Sequence, residues 1–508
     1  MAYYSLHAYD ADVWIPYFSG MKQDDEMASD LRFAIEAENV ETPRGVLQPM
    51  AAPTVLDYTF DARIETLARF HRRWYTGTGS KDWMVVASGG KLFYKQSGTG
   101  SWTQLAFPTG ITAWVNNVWS FATYEINPEG SAAPVDVLLM SNADDGMIMV
   151  VPPYTATVSN PDWKIQAINT QGKKFGVIER YAERIWGGAI PEDPDMLMYS
   201  RPYDPTDWTG NSGTEEPEDV AGDIQQPSWD GDSFTALRAF GNQLIAFKKK
   251  RVWRILGTDP GEYTFKEQYG GGAPYVGTIA VDTERILMME KDGMSVYDGL
   301  SVAPFSRQFI EKFWKTVNPA AMDQMCAVLF KNRYYLAVPT GNSTVNNALI
   351  VYNVEEGSFL LYTEVYIESL METDDVLYAT SSSLPGKILV INYDSWETGV
   401  ASGKLTKWKT PWMDFSRKSI AKGGYEIYFS PEVKGGPVTF RFSIETEKKT
   451  KSKQVTVQTT TFQAKQKRIR FGGTGRKFRL VIETISAPTG AVWRLTGGIQ
   501  MVVETDPD

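Results

Sequence analysis

Short apolar runs, broken at regular intervals by turn residues, organise this chain. Between Asp230 and Phe309 the first four runs are Thr235–Phe240, Leu244–Phe247, Val252–Leu256 and Tyr263–Phe265. Gly-Asn, a lysine cluster and Gly-Thr-Asp-Pro-Gly separate them. Four strands joined by tight turns within about 40 residues predict one antiparallel meander. The following stretch repeats the plan, with turns at Asp282-Thr283-Glu284, Lys291-Asp292-Gly293 and Asp298-Gly299. Asp-Gly supplies the positive-φ position that a hairpin turn requires. Two successive four-strand units of about 40 residues are the mark of propeller blades.

The same rhythm extends in both directions. Further units begin near 64, 111, 164, 322 and 367. FGNQLIAF, FKNRYYLAV and YAERIWGGA share a strand, a polar turn and an aromatic-rich strand. Large apolar residues at alternate positions are what one blade face needs to pack on its neighbour. The acidic, Pro/Gly-rich stretch 207–229 reads as a surface loop. Residues 1–60 read as an extended arm, of the kind that covers a neighbour or adds a strand to a sheet. Within it LRFAIEAENV fits either a strand or one short helix. After Gly399 the pattern becomes strict alternation. Val438, Phe440, Phe442 and Ile444 face one way, and Thr439, Arg441 and Ser443 the other. The expected fold is therefore all-β: an arm over 1–60, a β-propeller of about seven four-stranded blades over 61–400 and a β-sandwich over 401–508.

Composition narrows the chemistry. The chain has one cysteine, Cys326, and two histidines, His7 and His71. A disulfide framework and a Cys-based zinc site are excluded, and a Ser-His-Asp triad has almost no residues to draw on. No apolar run approaches membrane-spanning length, and the opening residues lack the plan of a secretory signal. No metal, cofactor or catalytic residue is expected, and the chain reads as a non-enzyme. The formal net charge is −10. It divides unevenly, with about −21 over 1–400 and about +11 over 401–508.

The basic residues are the candidates for contact with DNA or a protein partner. Lys248, Lys249, Lys250 and Arg251 sit at an expected hairpin turn. Lys448, Lys449, Lys451 and Lys453 form a second group, and Lys465, Lys467, Arg468, Arg470, Arg476, Lys477 and Arg479 a third. Each group fits phosphate contact without base readout. The first group reads first as a solvated turn; the other two equally fit an ordinary charged face, with lysines protecting edge strands from mispairing. Phe471–Gly475 and Gly77–Lys81 look like phosphate loops but lack the Lys-Ser/Thr ending and a following helix. Ser97–Trp102 resembles the turn of sialidase-like propellers without its aspartate. Glycoside cleavage needs a carboxylate pair, which no pattern here marks out. Asp144-Asp145-Gly146 and Asp292-Gly293 read as turns rather than calcium loops.

WDGDSFTALRAFGNQLIAFKKKRVWRILGTDP, then GTIAVDTERILMMEKDGMSVYDG, with YSRPYDPTDW at 199–208, resembles a pattern of tailed-phage virion proteins. These are the β-propeller proteins of the portal vertex, of the packaged-DNA stabilisation or tail-nozzle type. The resemblance covers about 160–310. It implies a virion tail component made in the host cytoplasm. Copies would assemble as a ring, a homohexamer, beside portal, adaptor or other tail proteins. The ring would retain packaged double-stranded DNA and later pass it out, touching it non-specifically. An acidic lumen would suit passage by repelling phosphates. Two alternatives compete: a glycan-binding or glycan-cleaving propeller acting in receptor recognition, and a monomeric scaffold propeller.

Overall fold

A computed structural model of the chain describes residues 11–23, 30–73, 80–98, 100–129, 133–154, 162–210, 215–226, 231–268, 270–414, 422–458 and 466–505. His7, Gly77, Thr99, Lys465 and parts of the 207–229 stretch lie outside them. The fold is all-β, and its core is a β-propeller.

The repeating unit is the one the apolar runs predict. Phe234–Phe240, Gln243–Lys248, Val252–Leu256 and Thr264–Gln268 pair in that order as a four-stranded antiparallel sheet. Ala280–Val281, Ile286–Glu290, Gly293–Tyr297 and Val302–Pro304 form the next. Three such sheets precede them, starting at Ile64 and, rather than near 111 and 164, at Ser120 and Val177, because Lys164–Ile168 closes the second sheet; the four strands that start at Cys326 follow as part of a larger sheet. The turns Ala182-Glu183, Lys331-Asn332 and Asp374-Asp375 each carry two positive-φ residues. Such turns match the right-handed twist of the strands they join.

The sheet that begins at Ser369 is incomplete in sequence. Ser369–Thr373, Val376–Thr380 and Lys387–Val390 take their fourth strand from the arm, where Thr54–Thr59 runs antiparallel to Lys387–Val390. Strand Ser369–Thr373 in turn touches both Cys326–Phe330 and Ile64–Arg72, so the succession of sheets closes on itself. It is the first strands that meet across most sheet junctions, which makes them the inner strands of the ring. Every hairpin reverses the chain. The turns after first and third strands therefore share one end of the ring, and the remaining connections share the other. Contacts between loops agree: Lys331 Nζ donates to the Asp375 carbonyl at 3.3 Å and Tyr181 Oη to the carbonyls of Asn242 and Gly257, each at 2.9 Å.

Neighbouring sheets pack through interleaved apolar faces. Trp186, Leu197, Leu237, Leu244 and Ile255 form one buried cluster, and Leu139, Met149, Phe175, Ile178 and Ile185 another. Each such side chain contributes about 1.5–3 kcal/mol on burial. The aromatic-rich strands thus face neighbouring sheets.

The arm does more than close the ring. Glu36–Glu38 lies between Ser358–Thr363, which it joins in parallel at Leu361, and Lys407–Lys409, which it joins antiparallel. One nine-stranded sheet results, running from Cys326–Phe330 through Glu36–Glu38 to Phe478–Ser486, Val438–Thr446 and Thr450–Val457. A second sheet contains Ala11–Ile15, Val492–Thr505, Lys422–Lys434 and Lys467–Gly475. The two lie face to face, with Phe429 on Phe442 at 4.4 Å and Phe440 on Trp493 at 5.0 Å between ring centres. Val438, Phe440, Phe442 and Ile444 are buried, as the alternation predicts. LRFAIEAENV supplies strands rather than a helix. Asn39, at φ 54°, stops the strand and staples both regions: it accepts from Thr363 N at 2.9 Å and donates to the Leu405 carbonyl at 3.0 Å.

Candidate functional site

The first basic group divides at the end of a strand. Lys248 ends Gln243–Lys248 and is fully buried. Its ammonium donates to Asp195 Oδ1 and to the Gln226 carbonyl, both at 2.7 Å, and lies 4.6 Å from the centre of the Phe234 ring. This corrects the expectation for Lys248, which is an internal clamp between loops and has no surface to offer DNA. Lys249 and Lys250 are exposed at the turn, where their backbone N–H groups donate to the Asp232 carboxylate at 2.9 Å. Arg251 pairs with Glu267 at 3.6 Å. Gly272 packs beneath this turn, and a Cβ there would stand 2.5 Å from the Lys248 carbonyl. The Gly-rich joint is therefore a close backbone approach.

Arg184 acts in the same way in the preceding sheet and escaped sequence reading. It is 1% exposed, and Nη1 donates to the carbonyls of Ser200 at 2.8 Å and Val220 at 2.6 Å. Nη2 donates to the Glu218 carbonyl. This holds the turn Pro217–Asp219 and Val220 against the ring just before Gly222–Gln225, which corrects the expected surface loop: part of that stretch is the fourth strand of the third sheet. No sequence signal separates Arg184 from a surface arginine.

Charges of both signs on and beside the inner strands form ion pairs, most of them across sheet junctions. Arg63 meets Glu368 at 2.8 Å, and Arg69 meets Glu372 at 2.5 Å and Asp82 at 3.0 Å. Arg73 meets Glu125 at 2.6 Å and Asp136 at 2.7 Å. Asp82 also accepts from Thr373 Oγ1 at 2.9 Å and contacts His71 Nδ1 at 2.5 Å. Burial raises the Asp82 carboxyl, but His71, Thr373 and Arg69 together hold it below the usual range. Glu179 faces Arg238 at 4.0 Å, and burial pushes its carboxyl up to about 7. Opposite charges at sheet junctions staple neighbouring sheets together. Cys326 opens another inner strand; burial pushes its thiol up to about 12, which removes it as a thiolate at neutral pH.

In the C-terminal sheets the arginines and lysines separate. Arg468 and Arg470 both bind Glu426, whose carboxyl Arg468 in particular pulls down to about 2. Arg479 pairs with Glu445 at 2.5 Å, Arg441 with Glu483 at 2.7 Å and Arg494 with Glu432 at 2.7 Å. At the turn, the backbone N–H groups of Arg476 and Lys477 donate to the Glu447 carboxylate at 3.1 and 2.7 Å. Lys448, Lys449, Lys451, Lys453 and Lys467 are exposed and make no ion pair among the described residues. Thr450–Val457 and Lys467–Gly475 are the last strands of their sheets and touch. Lys449 and Lys451 reach within 3.8 Å of where a Cβ on Gly473 would stand.

Where arm, ring and C-terminal sheets meet, a cleft of about 540 Å³ is lined in part by Glu36, Glu38, Phe313, Lys409, Trp412 and Arg479. Glu36 pairs with Lys407 and Lys409. Burial disfavours its ionisation, yet these lysines hold its carboxyl below the usual range. Burial raises that of Glu38. Nearby, Glu41 is buried and accepts from Ala51 N at 2.8 Å, Asp394 N at 2.7 Å and Gln48 Nε2 at 3.3 Å. Burial pushes its carboxyl up to about 7 against these donors. Among the described residues no group of three or more His, Cys, Asp or Glu is arranged to hold a metal ion. No helix among them is long and apolar enough to cross a membrane.

No protein-family model and no curated protein matches this sequence. Among solved structures, the chain is similar to the Pan2 WD40 domain of Neurospora crassa at 9% identity and a TM-score of 0.34, covering 66% of this chain and 90% of that one. It is also similar to an exo-β-1,3-galactanase of Phanerochaete chrysosporium at 9% identity and a TM-score of 0.27, covering 90% and 100%. A humanized mutant of the Chaetomium thermophilum Polycomb Repressive Complex 2 gives 10% identity and a TM-score of 0.33, covering 61% and 72%.

Proposed function

We propose that this chain is a structural component of a phage tail at the portal vertex, a nozzle or DNA-retaining ring that forms part of the ejection channel. In this reading the seven meanders are seven blades, and the two C-terminal sheets are a β-sandwich fixed to the sixth. Copies of the chain assemble in a ring, a homohexamer, with portal, adaptor or tail proteins as neighbours. The resemblance of residues 160–310 to portal-vertex propellers supplies the setting. The observation that carries the mechanical role is the arm. It contributes Ala11–Ile15 to one C-terminal sheet, Glu36–Glu38 to the shared sheet and Thr54–Thr59 to the ring. A force on either region is thereby carried by hydrogen-bonded backbone into the other, which a channel wall under stress requires and a small-molecule enzyme does not.

The test is electron microscopy of particles made with and without this protein. Tails cut short, or filled heads that leak, are the expected result; particles of normal shape and infectivity would overturn the reading. The glycan alternative is favoured by one feature, the junction cleft with Glu36 and Glu38 near Trp412. Retention or cleavage of an oligosaccharide on a glycan panel, lost in Glu38→Gln, would support it over the structural role.

A further inference from the structure

The two ends of the ring differ in charge far more than its two-sided construction demands. Among the described residues, turns after first and third strands hold roughly eighteen acidic side chains against roughly four basic ones. Connections at the opposite end hold about twelve against about ten among the described residues. The acidic surplus of the ring is thus a property of one end. Its exposed members include Glu129 in the second sheet, Glu216 in the third, Glu262 in the fourth and Glu355 and Glu356 in the sixth, so it spans several neighbouring sheets. The C-terminal sheets present the complement. Arg441, Arg468, Arg470, Arg479 and Arg494 are occupied by glutamates, while Lys451, Lys453 and Lys467 on two adjoining edge strands, with Lys448 and Lys449 in the turn before the first, are exposed.

We infer that the lysine strip of one copy docks on the acidic end of the ring of a second copy. The inference rests on the ring-forming element of the proposed function and supplies its contact. Three arguments favour a second copy over a nucleic acid. Duplex DNA would satisfy the lysines but leave the acidic end without a counter-charge, whereas one contact between copies satisfies both. The two surfaces lie on different regions of the chain, so the contact is heterologous and propagates head to tail, as a ring or stack needs. Lysine on an edge strand also opposes strand-to-strand pairing between copies, which leaves docking through charge. An ammonium is a flexible point charge with no fixed geometry to match. The association is therefore steered by the field of the whole end and screened within a Debye length of about 10 Å at 0.1 M salt.

The experiment uses the full chain in two charge-reversed forms. The first carries Lys448→Glu, Lys449→Glu, Lys451→Glu, Lys453→Glu and Lys467→Glu. The second carries Glu129→Lys, Glu216→Lys, Glu262→Lys, Glu355→Lys and Glu356→Lys. All ten positions are exposed, and thermal melts identical to the native chain establish that both variants fold. In sedimentation at about 50 mM salt the native chain is expected to self-associate, and at about 0.5 M salt to dissociate. Each variant alone should associate at least ten times more weakly. An equimolar mixture of the two should restore association, because each then meets its opposite. Native association that ignores salt, variants that assemble normally, or a mixture that stays monomeric would each overturn the inference. So would duplex DNA bound by the native chain and lost in the first variant while self-association is unchanged. If the mixture rescues assembly but the protein is absent from phage particles, the contact stands and the tail reading falls. If it is present and both variants assemble, the reverse holds.

Discussion

The ring and the C-terminal sheets use the same cations for opposite purposes. In the ring, Arg184 and Lys248 are buried and direct their donors to loop carbonyls and one aspartate. In the C-terminal sheets, Arg441, Arg468, Arg470 and Arg479 lie on strand faces against glutamates, and Lys448, Lys449, Lys451, Lys453 and Lys467 stay in water. A buried cation without its partners bears a desolvation cost that an exposed one does not. The lesson is that basic clusters in this chain divide by burial. The buried members hold loops in place, and the exposed lysines of the C-terminal sheets face solvent.

The largest effect is expected at Arg184. Arg184→Ala leaves three inward carbonyls without a donor and is expected to destabilise the chain by about 3–5 kcal/mol. Denaturant melts would read this as a lower midpoint, with Arg184→Lys recovering only a fraction, since an ammonium lacks the fork geometry. Lys248→Ala should cost about 2–4 kcal/mol by stranding Asp195 and the Gln226 carbonyl, while Lys249→Ala beside it should stay within about 0.5 kcal/mol. Equal effects for the two lysines would erase the division by burial.

A third prediction sets two glutamates against each other by pH. Glu41 has its folded pKa raised to about 7, so between the unfolded carboxylate value and 7 the folded state binds the extra proton. Its contribution to stability therefore falls as pH rises through that window and is constant above it. Glu426, held down to about 2, works the other way: its contribution is full above the unfolded value and is lost as pH drops toward 2. Stability profiles of Glu41→Gln and Glu426→Gln should each lose one limb of the native curve, the neutral limb for the first and the acid limb for the second. The smallest effect is expected at Arg63, 51% exposed in its pair with Glu368, where Arg63→Ala should cost about 0–1 kcal/mol.

Much of the fold was legible because it is local. The strands at 234–268 follow apolar runs whose turn residues sit between them, and hairpin pairing needs no distant information. Val438–Ile444 shows the same, since period-two alternation places Phe440 and Phe442 on the packed face. The site was less legible. A run of Lys-Lys-Lys-Arg looks uniform, yet its first member is the last strand residue, directed inward, and its second begins the turn. The glutamates that occupy Arg468 and Arg479 are Glu426 and Glu445, each on another strand.

By itself the sequence determined the all-β class, the meander repeat, the change of rhythm near 400 and the shortage of imidazole and thiol. Only the tertiary structure decided that Thr54–Thr59 completes the sheet of Lys387–Val390, that Glu36–Glu38 joins ring to C-terminal sheets, and that the acidic surplus gathers at one end. The physical reason is sequence distance. A strand's apolar period states that it will pair and which face it buries, but the partner, about 330 residues away for Thr54–Thr59, is selected by where the closed ring leaves an edge open.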